Sequence, residues 1–591
     1  MLPWFLTDSE RLTKERVGVE DLARSAKWLV GADWGIAGEL YFDAIIRAHN
    51  HDYEVRLSFP QLFPDTPIVV RMRNTQRRIS THQYGGANGV LCLEWGPDTW
   101  HRDVTAVQML ESAHRLFETE NPLGEEQPTI PVVAPSRHAV TIGQEFRSEW
   151  ARWYASSSLV EFIAAQPQQS TGDLQYSLRE TGGAWVALVH EATPQAGDPW
   201  KDPQIPPVLG ADLHAGTWLK TTLLADKIRQ PKTQAELQAV LANAGCFRAD
   251  AFNKPLPGFL VVDQIRAMRL FIVLRDETVF ECRRIESEQF QTGTRAPEVN
   301  RLTGKTIGIV GVGSVGSKMA TSLTRMGASK LLLVDHDIFL PENLHRHSLN
   351  WEAVGYHKAD AMSASLRLIN PGITVETSRH HITGQESNAI VNGTLNKLAE
   401  CDLIIDATAD SKVFNLLAAV ARTSKRPMVW MEVYGGGIGG MVARSRPSLD
   451  PTPQDMRGAF QQYCIENPFP AALQKTSDYA TETPDGKVLT ASDSDVGIIA
   501  HHAARLVPDC FVPAEQAKFP YSMYLIGLTQ AWVFEAPFAT IPISMSGRST
   551  AGWDADSTKE YSQDNINFLS ALIEKQTNAI ANSTGNQNPT C

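Results

Sequence analysis

The chain is short of several things, and each shortage narrows what it can do. Its seven cysteines stand singly at 92, 246, 282, 401, 464, 510 and 591, with no Cys-x-x-Cys pair. That argues against a zinc ribbon, and a sparse, odd set suits reduced thiols in a cytoplasmic compartment. No apolar run reaches about 18 residues, so no membrane span is expected. The start, "MLPWFLTDSERLTKER", turns charged too early for a secretory signal. Basic charge is in deficit: 54 Lys and Arg against 66 Asp and Glu leave a net charge of −12. That argues against general nucleic-acid binding and against an anionic membrane surface. There is no internal repeat.

What is present is length and apolar mass. At 591 residues and 43% hydrophobic, the chain is too long for one core and can bury several. Residues 8–27 read as a helix. The stretch 39–74 reads as a meander of three strands with Pro-containing turns. A helix after Trp100 carries Val107, Leu110, Ala113 and Phe117 on one face. The region 132–300 mixes strands ("AWVALVHEA", "MRLFIVLRD", "TVFECRRIE") with a helix ("TQAELQAVLANAG") and shows no recognisable chemistry. From 304 onward strand, glycine turn, helix and strand alternate. That pattern predicts an α/β fold with a mostly parallel, Rossmann-like sheet. Residues 446–492 carry few regularity signals and read as a long loop. The expected domains are 1–131, 132–300, 301–550 and a terminal helix and disordered tail, 551–591.

Gly311, Gly313 and Gly316 form Gly-x-Gly-x-x-Gly between a predicted strand and helix. Such a turn lets backbone approach a phosphate at a helix N-terminus. Asp335 ends the next strand, where a carboxylate can bind ribose hydroxyls. These residues alone leave a dinucleotide and ATP both open. Asn343 and Arg346 in "PENLHRHSL", Lys358 in "VGYHKADA", and Asp406 and Asp410 around "DATAD" shift the balance. Strand carboxyl ends converge on one crevice in such a sheet. Hydride transfer needs no collection of cations and carboxylates there. Attack of a carboxylate on the α-phosphate of ATP does.

This set resembles the adenylating domain of ubiquitin-activating enzymes and the ThiF/MoeB family, over about 304–440. The resemblance implies formation of an acyl-adenylate from a protein's C-terminal carboxylate and ATP. It implies ATP contacts from Gly311, Gly313, Gly316, Asp335, Asn343, Arg346, Lys358 and Asp410, with Mg²⁺ held through Asp410. Some members also use an arginine from before the glycine turn, for which Arg295 and Arg301 are candidates. The zinc-binding Cys-x-x-Cys pairs of many members are absent.

An acyl-adenylate needs an acceptor, and a thiolate is the usual one. Cys92 lies in "NGVLCLEW", ten residues after His82 and eight before Trp100, with Phe59-Pro60, Phe63-Pro64 and Pro67 upstream and Asn121-Pro122 downstream. Over about 8–130 this is similar to the α+β catalytic domain of ubiquitin-conjugating enzymes, which implies that Cys92 carries a thioester. The usual His-Pro-Asn is replaced here by His82-Gln83-Tyr84. Many activating enzymes relay the acyl group through a cysteine of their own just before a long helix. The matching stretch, "VLTASDSDVGIIAHHAARL", has Ser492 and Ser494 but no cysteine. Two routes stay open: relay through Cys464 on the long loop, or direct passage to Cys92. Ser492 as an oxyester acceptor is a third.

The two ends of the chain together resemble bacterial fusions of a conjugating and an activating domain from anti-phage operons, including CBASS, with the middle matching only as a linker region. The activated partner would be the C-terminal tail of a cGAS-like nucleotidyltransferase or a ubiquitin-like protein, joined to target amines, and the enzyme a homodimer. The rival readings are a ThiF-like sulfur-transfer adenylyltransferase, a Rossmann oxidoreductase, and a scaffold with an inactive conjugating fold.

Overall fold

The computed structural model describes residues 2–74, 79–80, 82–83, 89–124, 142–222, 230–245, 249–263, 267–286, 301–434, 436–469, 475–477, 480–482, 488–554 and 562–584. They fall into two compact units, Met1–Ser148 and Glu149–Cys591. No described helix is long and apolar enough to cross a membrane.

The first unit begins with helices α1 (Trp4–Thr7) and α2 (Ser9–Ser25). An antiparallel meander follows in the order β1 (Leu29–Ala37), β2 (Glu39–Ala48), β3 (His51–Phe59), β4 (Val69–Met72). Helices α3 (Ala106–Glu120) and α4 (Ile142–Glu145) complete the unit. Strict alternation puts Leu40, Phe42, Ala44 and Ile46 of β2 on one buried face with Tyr53, Val55, Leu57 and Phe59 of β3. The α3 face carrying Met109, Leu110, Ala113, Leu116 and Phe117 covers them. A capping box between Thr105 and Gln108 starts that helix, and Asn121 in the left-handed region (φ 45°) ends it. Strand β1 was not foreseen. Along it only Leu29 is fully buried, so this sheet edge has no alternating apolar signal.

The second unit holds two large sheets. The first contains β5 (Ala151–Ala155), β6 (Thr171–Thr181), β7 (Ala184–Pro194), β8 (Trp200–Lys201), β9 (Leu213–Lys220), β10 (Gly258–Val262), β11 (Met268–Val273) and β12 (Val279–Glu286), with α5 (Ser157–Ala165) and α6 (Gln234–Asn243). Its order is β5-β12-β11-β10-β9-β6-β7-β8, and β5 also pairs with β7, so the sheet closes on itself. Trp153, Tyr176, Trp218, Leu260 and Leu270 form one core, while Leu219, Phe259, Val261 and Phe271 pack with Leu237 and Leu241 of α6. Strands β7, β11 and β12 and helix α6 are legible in the sequence; the other strands and the closure are not.

The other large sheet runs β15 (Thr374–Ser378), β14 (Lys330–Val334), β13 (Thr306–Val310), β16 (Leu403–Asp406), β17 (Met428–Tyr434), β18 (Gly439–Ser445), β22 (Met523–Gly527), β23 (Thr540–Pro542). The first five are parallel and the last three antiparallel. Three short strands, β19 (Lys475–Ser477), β20 (Ala480–Glu482) and β21 (Val488–Thr490), pair separately. Helices α7 (Ser314–Arg325), α8 (Lys358–Ile369) and α12 (Asp493–Leu506) share one core with this sheet. Helices α9 (Asn388–Glu400), α10 (Ser411–Ser424) and α11 (Pro453–Glu466) share a second. Helix α13 (Gln563–Thr584) follows. This is the α/β architecture expected, helices covering both faces of a mixed sheet. Strand β13, between β14 and β16, marks the point where strand order reverses and ligands bind.

The reading of 446–492 as loop is corrected by α11. Thr452 accepts from the Asp455 N–H, Pro453 takes the first helical position, and Pro453, Met456 and Ala459 are buried. Cap, proline and acidic first turn are all helix signals in the sequence.

Candidate functional site

A cleft of about 280 Å³ opens at the carboxyl ends of β13, β14 and β16, near the small end of ligand pockets. Gly311, Gly313, Asp335, Asn343, Arg346, Lys358 and Asp410 all line it. Gly316 stands behind. A Cβ there would lie 1.8 Å from the Gly311 carbonyl oxygen, so this glycine lets α7 approach the turn. Gly311 itself has φ +85°, which favours glycine. Gly313 is the N-cap of α7 with ordinary φ, so its missing side chain serves access.

The first turn of α7 carries an unanswered donor. Ser314 is 4% exposed and lines the cleft, and its hydroxyl has no hydrogen-bond partner among the described residues. A buried hydroxyl beside free N–H groups at a helix start fits an anion. Sequence reading passed over Ser314 because serine after glycine looks like turn filler.

Asp335 is built into the turn as well as facing the cleft. Its Oδ2 accepts the Val312 N–H at 2.6 Å, and its Oδ1 accepts the Asp337 N–H at 2.8 Å. Asn343 orders the arginine-bearing segment. Its side-chain oxygen accepts the Leu340 N–H (2.9 Å), and its carbonyl accepts from the N–H groups of Arg346 and His347.

Two further groups at the cleft, Asp337 and His347, were not foreseen. Lys358 begins α8, is 8% exposed, and donates from Nζ to Asp337 Oδ2 at 2.7 Å. Burial raises the Asp337 pKa, but the Lys358 hydrogen bond and charge outweigh it and the carboxyl sits below its usual range. His347 donates from Nε2 to the Val312 carbonyl (2.7 Å) and accepts the Leu349 N–H at Nδ1 (3.1 Å). Burial first, and the cations Lys358, Lys318 and Arg346 further, push its pKa down to about 4, so the ring is neutral. The chain's only sign of either was an Asp two residues past the strand and a His beside the arginine.

The two aspartates of "DATAD" divide. Asp406 is not at the cleft. It is 3% exposed and accepts from the Thr408 N–H (3.0 Å) and hydroxyl (2.7 Å). Burial drives its pKa up to about 6 against those bonds. Asp410 is exposed at the cleft and caps α10, its Oδ1 accepting from the N–H groups of Lys412 (2.6 Å) and Val413 (3.1 Å). The cap bonds use only Oδ1.

In the first unit Cys92 is 3% exposed. Its N–H donates to the His82 carbonyl at 2.8 Å, and Leu91 beside it bridges to Gln83. Trp100 donates from Nε1 to the Pro64 carbonyl (2.8 Å), tying it to the Phe-Pro turn. Tyr84 and the Asn-Gly pair before Cys92 are Tyr84 and Asn88-Gly89; of these, Tyr84 and Asn88 lie outside the described residues.

The other candidates find structural places. Cys464 sits on α11, half-buried, and burial, then the charge of Glu432, raise its pKa. It is therefore not on the long loop the sequence suggested. Ser492 is the N-cap of α12, in a capping box with Asp495. Arg301 pairs with the buried Asp509 at 3.6 Å. Arg295 lies outside the described residues.

Residues 287–484 match the ThiF family. The ubiquitin-like modifier-activating enzyme 5 of Aedes aegypti is 26% identical over 210 residues, 34% of this chain and 49% of that protein. The ATP-dependent ubiquitin transferase-like protein Cap2 of Pseudomonas aeruginosa is 30% identical over 188 residues, 30% of this chain and 32% of that protein. The matches thus span half or less of these relatives' lengths. Among solved structures, E. coli MccB is similar at 15% identity and a TM-score of 0.32, over 45% of this chain and 69% of that one.

Proposed function

We propose that this chain activates a protein's C-terminal carboxylate with Mg-ATP, carries it as a thioester on Cys92, and ligates it to an amine. The observation that carries the reading is the shared lining of one cleft by a glycine turn, a Ser314 hydroxyl without a partner among the described residues, two cations and Asp410. The ThiF match and the activating-enzyme relatives support it.

Gly311, Gly313 and Ser314 would hold phosphates, Asp335 the ribose, Arg346 and Lys358 the phosphate charge, and Asp410 the Mg²⁺. Lys358 would exchange its bond with Asp337 for one with phosphate. A carboxylate oxygen of the partner forms a bond to the α-phosphorus, and the bond to pyrophosphate breaks. The Cys92 thiolate then takes the acyl group and AMP leaves. Finally the amine nitrogen takes the acyl group, the thiolate leaves, and the amine proton goes to solvent. The place of Cys464 on helix α11 rather than on a loop, with its thiol pKa raised, favours direct passage to Cys92 over a relay. The acyl donor would be the tail of a cGAS-like nucleotidyltransferase or a ubiquitin-like protein, in an anti-phage role.

A homodimer would have an apolar surface available to it. Ile338 and Leu340 are exposed beside Tyr356 on a short ladder, with exposed Trp351 in the preceding turn. Large apolar side chains so close together suit burial in an interface.

Calorimetry on the full chain tests the core of the reading. Mg-ATP should bind and NADH should not. Lys358→Ala and Asp410→Ala should each weaken binding or pyrophosphate exchange by about a hundredfold. Binding of NADH with indifference to both substitutions would favour the oxidoreductase reading instead.

A further inference from the structure

Three consecutive residues, Arg346, His347 and Ser348, are fastened to the glycine turn and the start of α7. Lys318 Nζ donates to the Arg346 carbonyl at 2.7 Å. His347 Nε2 donates to the Val312 carbonyl at 2.7 Å, and the Ser348 N–H donates to Ser317 Oγ at 3.3 Å. Of the three ties only the first uses a charged side chain. It acts on Arg346, a residue that lines the cleft.

A lysine is an expensive way to hold a carbonyl here. Lys318 is the fifth residue of α7, close to the positive end of the helix dipole. It shares that region with Arg346 and Lys358, whose charges also help depress His347. It is nearly buried, with 11% of its side chain exposed. Its compensation is Asp493 at the start of α12, 2.6 Å away. The lysine stem runs past Gly497 of α12, where an added Cβ would stand 3.7 Å from its Cε. Lys318 thus reaches from α7 to α12 while its ammonium bonds the Arg346 backbone.

We propose that Lys318 is a positioning residue for Arg346, held in aim by Asp493, so that α12 supports the arginine wall of the nucleotide cleft. Lys318 does not line the cleft itself. Its effect on nucleotide passes through the Arg346 backbone. The inference rests on the ATP-binding reading above and names a residue that reading does not use.

The experiment is Mg-ATP calorimetry on the full-length protein as a double-mutant cycle. Lys318→Met should weaken Mg-ATP binding about tenfold, because a small displacement of a phosphate-binding group is costly. Lys318→Met in an Arg346→Ala background should add nothing to the Arg346→Ala loss, since both remove the same contact. A merely structural role would weaken both backgrounds alike. Additive losses, or Lys318→Met binding like wild type while Arg346→Ala does not, overturn the proposal. Should Lys318→Met fail to fold, Asp493→Asn on the exposed side of the pair answers instead. A loss confined to the Arg346-containing background supports the proposal, and unchanged binding overturns it. Absence of Mg-ATP binding by the wild type is a different result and strikes the ATP reading itself.

Discussion

At the scale of single residues, two buried groups, His347 at the cleft and Asp406 away from it, have their protonation shifted in opposite directions. His347 stays neutral in the fold with a pKa down to about 4. Its unfolded counterpart takes a proton near 6.5, so the stability it supports is present above that pH and is lost as pH falls toward 4. Asp406 is the reverse case. Its folded pKa is raised to about 6, above the unfolded carboxyl near 3.8, so the fold retains a proton that the unfolded chain releases. Its stability is present below the unfolded value and is lost as pH rises through about 6. At pH 7.5 the buried carboxylate costs on the order of 3 kcal/mol. Asp406→Asn keeps an acceptor for Thr408 without the charge. It should therefore raise the melting temperature at pH 7.5 and have much less effect at pH 4.5. Comparing variant and wild type at each pH cancels the His347 contribution. An equal effect at both pH values would remove the ionisation argument.

At the scale of elements, the glycine turn, its flanking strand and helix, and the alternating strands β2 and β3 are written in local pattern. So is the α3 face, because each is a periodic apolar stripe next to a cap or turn. The cleft residues were legible for the same reason: strand ends in such a sheet must converge. What pattern could not convey is partnership between distant groups. Nothing local says that Asp337 answers Lys358, that the Ser314 hydroxyl lacks a partner among the described residues, or that Arg301 is taken by Asp509. Nor does spacing reveal that β5 closes a sheet by pairing with both β12 and β7. Element α11 was legible and was passed over, and the error bears on chemistry. On a helix Cys464 cannot swing as it would on a loop, and burial raises its thiol pKa. Cys464→Ser should leave thioester formation within about twofold of wild type, whereas a relay role would require its complete loss. Non-reducing gels with Mg-ATP and a candidate tail protein read this directly.

At the scale of the whole molecule, the proposed chemistry is divided between two compact units, with the acceptor thiol in one and the nucleotide cleft in the other. The proposed acceptor is buried: Cys92 is 3% exposed, so the proposal requires its sulfur to be uncovered before it can take an acyl group. Cys92 and Asp410 belong to separate compact units with their own cores, so the two steps are expected to be separable by substitution. Cys92→Ser in the full chain should therefore bind Mg-ATP and exchange pyrophosphate as wild type does, yet form no reducible adduct with the activated protein. Asp410→Ala should lose both, because the thioester has no other source of activated carboxylate. A burial-gated acceptor adds a kinetic expectation. Iodoacetamide should alkylate Cys92 more slowly than the half-buried Cys464 in the resting enzyme, and the thioester should block Cys92 once the carboxylate partner and Mg-ATP are added. Peptide mass spectrometry at timed quench points separates the two sites. Rapid alkylation of Cys92 in the resting enzyme would show that its thiol is open without the partner. If pyrophosphate exchange fell together with the adduct in Cys92→Ser, activation and acceptance would not be independent steps in this chain.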